Sequence, residues 1–229
     1  MSEEYSGSCA KCPFAPPDRI CREPDGKAPP FCSTKLYQDI VEDACSEYTG
    51  DPELMDFATE ASKQEAACYR PSDINPARNM PLKCRVEETI EFCRRMGYKK
   101  LGLAFCIGLG KEAAALDRIL KSHGFEVVSV ICKIGTVDKS FINIGPDERV
   151  NRGCKHESMC NPVAQAKVLN EEKVDFIIVL GLCVGHDSML FKYAEAPVSV
   201  LAVKDRLLGH NPLAALYSGY YAFLEKPKE

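Results

Sequence analysis

From Lys99 onward the chain alternates short apolar runs with amphipathic stretches, and that alternation predicts a βα fold. Four runs read as strands: Lys99–Cys106 (KKLGLAFC), Phe125–Cys132 (FEVVSVIC), Val174–Leu182 (VDFIIVLGL) and Val198–Val203 (VSVLAV). Near-continuous apolar runs suit strands buried on both faces, as in a parallel sheet. Between them, Lys111–His123 has helical periodicity, and Asn161-Pro162 pairs an N-cap residue with a proline at the first helical position. A short helix is expected from about Asp187, and Asn211-Pro212 repeats the N-cap grammar. Strands joined by helices take right-handed crossovers, so the expected fold class is α/β: a three-layer, Rossmann-like domain with a mainly parallel sheet of four strands.

Upstream the pattern differs. Ser33 is placed to cap a helix running to Tyr48, with Leu36, Ile40, Val41 and Ala44 on one face. Pro52 opens a second helix reaching Cys68, and Leu82–Met96 forms a third with the stripe Val86, Ile90 and Cys93, stopped by Gly97. The stretch RPSDINPARNMP between them reads as a loop. The first 32 residues hold Pro13, Pro16, Pro17, Pro24, Pro29 and Pro30 and almost no apolar periodicity. Such a segment builds no core of its own and needs a cross-link to become ordered. The expected division is a Cys-rich metal-binding segment over residues 1–34, a helical segment over 35–98 packed on the main domain, and an α/β domain over 99–229.

Composition narrows the function. With 45% hydrophobic and 27% charged residues the chain is ordinary for a globular protein, and its net charge of −4 supplies no positive field for nucleic acid or an anionic membrane. Neither is an expected partner, and nothing in the sequence fixes an oligomeric state. The opening MSEEYSGSCAKC is polar, unlike a signal peptide, and no apolar run approaches the roughly 20 residues that span a bilayer. A cytoplasmic location is expected, where thiols stay reduced. The thirteen cysteines are odd in number, which excludes a fully paired disulfide set and favours metal or thiol chemistry.

Two groups of cysteines stand out. Cys9-x2-Cys12 has the spacing with which a tight turn points two sulfurs at one ion, and Cys21 and Cys32 complete a four-thiolate set. Zinc would replace the missing core, and an iron–sulfur cluster stays open because the second pair is irregularly spaced. Free thiols on a loose tail are the competing reading.

The second group lies where open parallel sheets bind ligands, outside the carboxyl ends of the strands. Cys106, Cys132 and Cys183 end predicted strands, and Cys160 stands at a helix mouth, where the dipole and loose N–H groups favour a thiolate. Singly, each suits a small buried hydrophobe. Together they suit a pocket holding an iron–sulfur cluster, another thiophilic metal, or reactive thiols. His186, three residues after Cys183, together with Lys204 and His210, is placed to position or protonate a small anionic substrate; Arg206 adds a further cation. Cys45, Cys68, Cys84 and Cys93 read as packing, His123 as structural and His156 as solvated. Gly108-x-Gly110-x-x-Ala113 fails as a dinucleotide fingerprint, because Cys132-Lys133 stands where the ribose-binding acid belongs. It fails as a P-loop because Glu112 follows Lys111.

The segments AFCIGL (Ala104–Leu109), CKIG (Cys132–Gly135), CNPVAQA (Cys160–Ala166), GLCVGHD (Gly181–Asp187) and KDRLLGHNP (Lys204–Pro212) resemble an uncharacterised bacterial and archaeal family, the domain of unknown function 1847. The early cysteines match that family's cysteine-bearing N-terminus. The resemblance implies a metal and an α/β body, and it assigns no reaction. The leading expectation is a metalloprotein with a structural N-terminal site and a Cys-rich pocket that runs redox or sulfur chemistry. The alternatives are a non-enzymatic metal sensor, store or carrier, and a zinc- or thiolate-dependent transferase with Cys160 or Cys183 as the attacking group. The sequence leaves open whether the protein is an enzyme.

Overall fold

Asp51 decides where one helix begins: its carboxylate accepts the Glu53 and Leu54 N–H groups at 2.9 and 3.2 Å, so the helix starts at Pro52. The computed structural model describes residues 6–75, 78–217 and 219–226. The chain divides into two units, Met1–Lys63 and Gln64–Glu229.

In the first unit, 3-10 turns at Cys9–Lys11 and Pro16–Asp18 precede α1 (Ser33–Leu36), α2 (Gln38–Gly50) and the start of α3 (Pro52–Ala67). The Ser8 N–H bonds the Phe31 carbonyl at 3.1 Å, and Ile20 N–H bonds Lys27 at 3.1 Å, so backbone contacts organise the proline-rich stretch. The helix expected from Ser33 to Tyr48 is broken at Tyr37, whose φ of −125° and ψ of 39° are not helical. Its expected apolar stripe is not buried: Ile40 is 63% exposed and Val41 49%.

The second unit opens with a short antiparallel pair, β1 (Tyr69–Pro71) and β2 (Asn79–Pro81), within the stretch the sequence assigned to a loop. Three-residue strands ending in proline carry no period-2 pattern to betray them. Next comes α4 (Arg85–Arg95), starting later than expected because Glu87 Oε2 accepts the Cys84 N–H at 3.0 Å and fixes the cap there. The α/β succession follows: β3 (Lys100–Phe105), α5 (Gly110–Ser122), β4 (Glu126–Ile131), α6 (Pro162–Glu171), β5 (Phe176–Leu180), α7 (His186–Tyr193), β6 (Val198–Ala202) and α8 (Ala214–Tyr217). The helix expected at Asn211-Pro212 is confined to that last short turn.

All four long strands are parallel, in the order β4-β3-β5-β6. Leu101, Leu103 and Ile178 face Ile90 of α4 and Leu116 and Leu120 of α5. Ala104, Ile177 and Val179 face Ala166 and Leu169 of α6 and Leu190 of α7. The result is the expected three-layer, Rossmann-like α/β arrangement, each buried leucine contributing about 1.5–3 kcal/mol. Strand β3 comes first in the chain yet lies inside the sheet. The chain leaves it for β4 on one side, then crosses to β5 on the other, so the strand order reverses between the carboxyl ends of β3 and β5, the place where open α/β sheets bind ligands. Gly181 follows β5 at φ +75°, and a Cβ there would fall 1.8 Å from Leu109 Cδ1. No helix among the described residues is long and apolar enough to cross a membrane.

Residues 133–159 form an insertion between β4 and α6. Its neck is closed by Met159 N–H to the Val137 carbonyl (2.8 Å) and Lys139 N–H to the Glu157 carbonyl (3.0 Å). Asp138 is its hub. The carboxylate accepts the Ser140 and Glu157 N–H groups, both at 2.9 Å, pairs with the buried Arg149 at 2.7 Å, and meets His156 Nδ1 at 3.2 Å. His156 is therefore bonded within the insertion. Those backbone donors, with the Arg149 charge behind them, hold the Asp138 carboxyl well below the usual carboxylate range.

Two predictions follow from these contacts. A depressed folded-state value means that Asp138 stabilises the insertion fully above about pH 4, the ordinary aspartate range, and loses that contribution as pH falls from there through the folded value. Amide exchange over 138–158 should accelerate on acidification below about pH 4, and Asp138→Asn should show fast exchange already at neutral pH. Gly181→Ala should destabilise the second unit by about 2 kcal/mol or more in urea unfolding, since it adds both strain and a clash with Leu109.

Candidate active site at the carboxyl edge of the sheet

The strand exits place the edge cysteines. Cys106 follows β3, and its N–H still bonds the Leu180 carbonyl at 3.1 Å; Cys132 follows β4 and bonds Phe105 at 2.9 Å. Both thiols are buried. Cys160 reaches the same place from the far end of the insertion, because the Asn161 N–H bonds the Cys132 carbonyl at 2.8 Å. Asn161 then caps α6, its Oδ1 accepting the Ala164 N–H at 3.0 Å, with Pro162 in the first helical position. The sequence expectation of a thiol at a helix mouth is met. Underneath, the fully buried Gln165 donates to the Val130 and Phe105 carbonyls at 2.7 and 3.3 Å, tying α6 to the ends of β4 and β3.

Cys132 Sγ and Cys160 Sγ are 3.9 Å apart. Cys160 is the half-buried member, and its thiol is pushed far down: first by a hydrogen bond from Cys132, then by one from His186, and further by the Lys133 charge, against a desolvation cost. Lys133 is held in place by its bond to the Ser158 carbonyl. Cys132 moves the opposite way, raised first by that bond to Cys160 and then by burial, despite the Ile107 N–H at 3.3 Å. Both effects favour negative charge on Cys160 over Cys132.

The other candidates occupy distinct positions. Cys183 and His186 share the turn after β5, where the His186 N–H bonds the Cys183 carbonyl at 2.9 Å. Cys183 Sγ accepts from Arg206 Nη2 at 3.0 Å. His210 sits at φ +67°, and its Nδ1 accepts the Asp205 N–H at 3.1 Å, which fixes the loop after β6 and leaves only Nε2 for another partner. Asp205 Oδ1 is taken by the Leu207 and Leu208 N–H groups. Lys204 extends from the β6 exit to the turn after β3, where its Nζ would stand 2.8 Å from a Cβ on Gly108. Lys133 and Gln165 were not singled out from sequence as site residues. A lysine behind a strand-end cysteine and a glutamine one turn into a capped helix were the only traces of them.

In the N-terminal unit, Cys9 Sγ bonds Ser33 Oγ at 3.1 Å, which pulls its thiol down. Cys12 is half-buried, Cys21 exposed and Cys32 buried. Among the described residues, no three His, Cys, Asp or Glu side chains gather closely enough to hold one ion, at this end or at the sheet edge. Of the cysteines read as packing, Cys68 and Cys93 are buried whereas Cys45 and Cys84 are exposed. His123 Nδ1 meets Arg94 at 2.9 Å, a structural contact.

An uncharacterized protein of Methanocaldococcus jannaschii is 50% identical over 139 residues, covering 61% of this chain and 69% of that protein. A family model described as protein of unknown function (DUF1847) matches residues 32–201, which takes in Cys106, Cys132, Cys160, Cys183 and His186. The chain belongs to the DUF1847 family.

Proposed function

We propose that this is a cytoplasmic thiol-redox protein in which Cys160 attacks the sulfur of a small anionic substrate and Cys132 resolves the product. The 3.9 Å approach of these two sulfurs, Cys160 half-buried and reachable, Cys132 buried behind it, carries the reading. With a disulfide RS–SR as substrate, the Cys160 thiolate displaces RS⁻ and forms a Cys160–SR mixed disulfide. Cys132 then attacks Cys160 Sγ, expels the second RS⁻ and gives up its proton to it. One thiolate, one thiol and one disulfide become one protein disulfide, one RS⁻ and one RSH, so electrons and protons balance. His186 steadies the Cys160 anion before the attack.

Iodoacetamide at about pH 6.5, where an ordinary thiol is only about 1% ionised, should label Cys160 at least about tenfold faster than the other cysteines. After exposure to hydroxyethyl disulfide, peptide mapping should find a Cys132–Cys160 disulfide. Cys132→Ser should trap the adduct on Cys160. Adducts spread evenly over many cysteines would end this reading.

For the N-terminal cysteines we propose a structural zinc or iron–sulfur site. Its support is the Cys9-x2-Cys12 spacing on a 3-10 turn that the Ser8–Phe31 bond straps beside Cys32. Elemental analysis should find about one equivalent of zinc, or of iron with sulfide, that is lost in a Cys9→Ser/Cys12→Ser variant. Folded protein free of both would overturn it.

A further inference from the structure

Lys204 is the cation at this rim whose purpose the fold does not explain. Lys133 is committed to the Ser158 carbonyl and Arg206 to Cys183. Asp205, its nearest carboxylate in sequence, is turned onto two backbone N–H groups. Among the described residues no carboxylate pairs with Lys204. The side chain is nevertheless half-buried and folded over a neighbouring loop. A Cβ on residue 108 would stand 2.8 Å from Lys204 Nζ and 3.9 Å from Cys106 Sγ. The absence of a side chain at Gly108 is therefore what gives an ammonium from the β6 exit room at the β3 exit, on the turn that follows Cys106.

We propose that Lys204, seated over Gly108, is an anion-selecting subsite that directs the thiol pair toward carboxylate-bearing disulfides. This rests on the thiol-exchange reading above. An ammonium without a carboxylate partner at the β3 exit would attract a substrate carboxylate while the disulfide bond lies toward Cys160. Gly108 matters only through Lys204: its backbone is not in the left-handed region, and the conflict an alanine meets is with the mobile end of a lysine. Gly108→Ala should fold and simply displace the charge.

The test uses the reduced full-length protein with three probes: dithiodiglycolate (anionic), hydroxyethyl disulfide (neutral) and cystamine (cationic). Each rate of Cys132–Cys160 closure is divided by the rate of the same probe with dithiothreitol, which removes its intrinsic reactivity. The wild type should favour the anionic over the neutral probe by about tenfold, the scale of one charge-assisted contact, and disfavour cystamine. Lys204→Gln and Gly108→Ala should each bring the anionic-to-neutral ratio close to one. A wild type without charge preference, a preference kept by either variant, or equal loss of all three rates would overturn the subsite. Failure of the neutral probe to close the disulfide in the wild type would instead sink the thiol-exchange reading beneath it.

Discussion

A parallel sheet sealed by helices on both faces leaves one rim where side chains from several strands can meet a solute. Everything proposed for this protein depends on that restriction. Leu101, Leu103, Ile177 and Ile178 are almost wholly shielded, and polar groups among them would lack partners. Cys106 and Cys132 stay buried directly after the last paired residues, whereas Cys160 and the Cys183–His186 turn are partly open to solvent. The order β4-β3-β5-β6 puts the reversal of strand order between the neighbouring β3 and β5 exits.

Much of this rim could be read from the chain. Each strand lies inside its apolar run, and each ends slightly before the run does. The reason is visible in Cys106 and Cys132, whose N–H groups continue the ladder for one bond after strand geometry has ended. The helix mouth at Cys160 was legible because an N-cap residue followed by proline is a local signal. The contact between Cys132 and Cys160 was not, because it depends on how an irregular insertion closes, and nothing local in Lys133–Met159 encodes that closure. Asp138 and Arg149 close it through backbone groups, which hydropathy does not register.

Gly108 shows a different limit. In sequence it was a turn residue in a failed nucleotide fingerprint. In the fold its role is steric and concerns a lysine almost a hundred positions later. At the other end of the chain, the stripe of Ile40 and Val41 was correctly periodic yet is not buried. Periodicity says which residues share a face, and it does not supply the surface that covers them.

The placement of the two sulfurs at the feet of the insertion has a thermodynamic consequence. Residues 133–159 already fold with their ends together, so a covalent link between Cys132 and Cys160 would restrict the native chain little and the unfolded chain much. Linkage then runs both ways: an ordered insertion favours the oxidised pair, and an oxidised pair favours order. Oxidation state would be stored partly as loop rigidity, in a segment that stands outside the sheet and its helices.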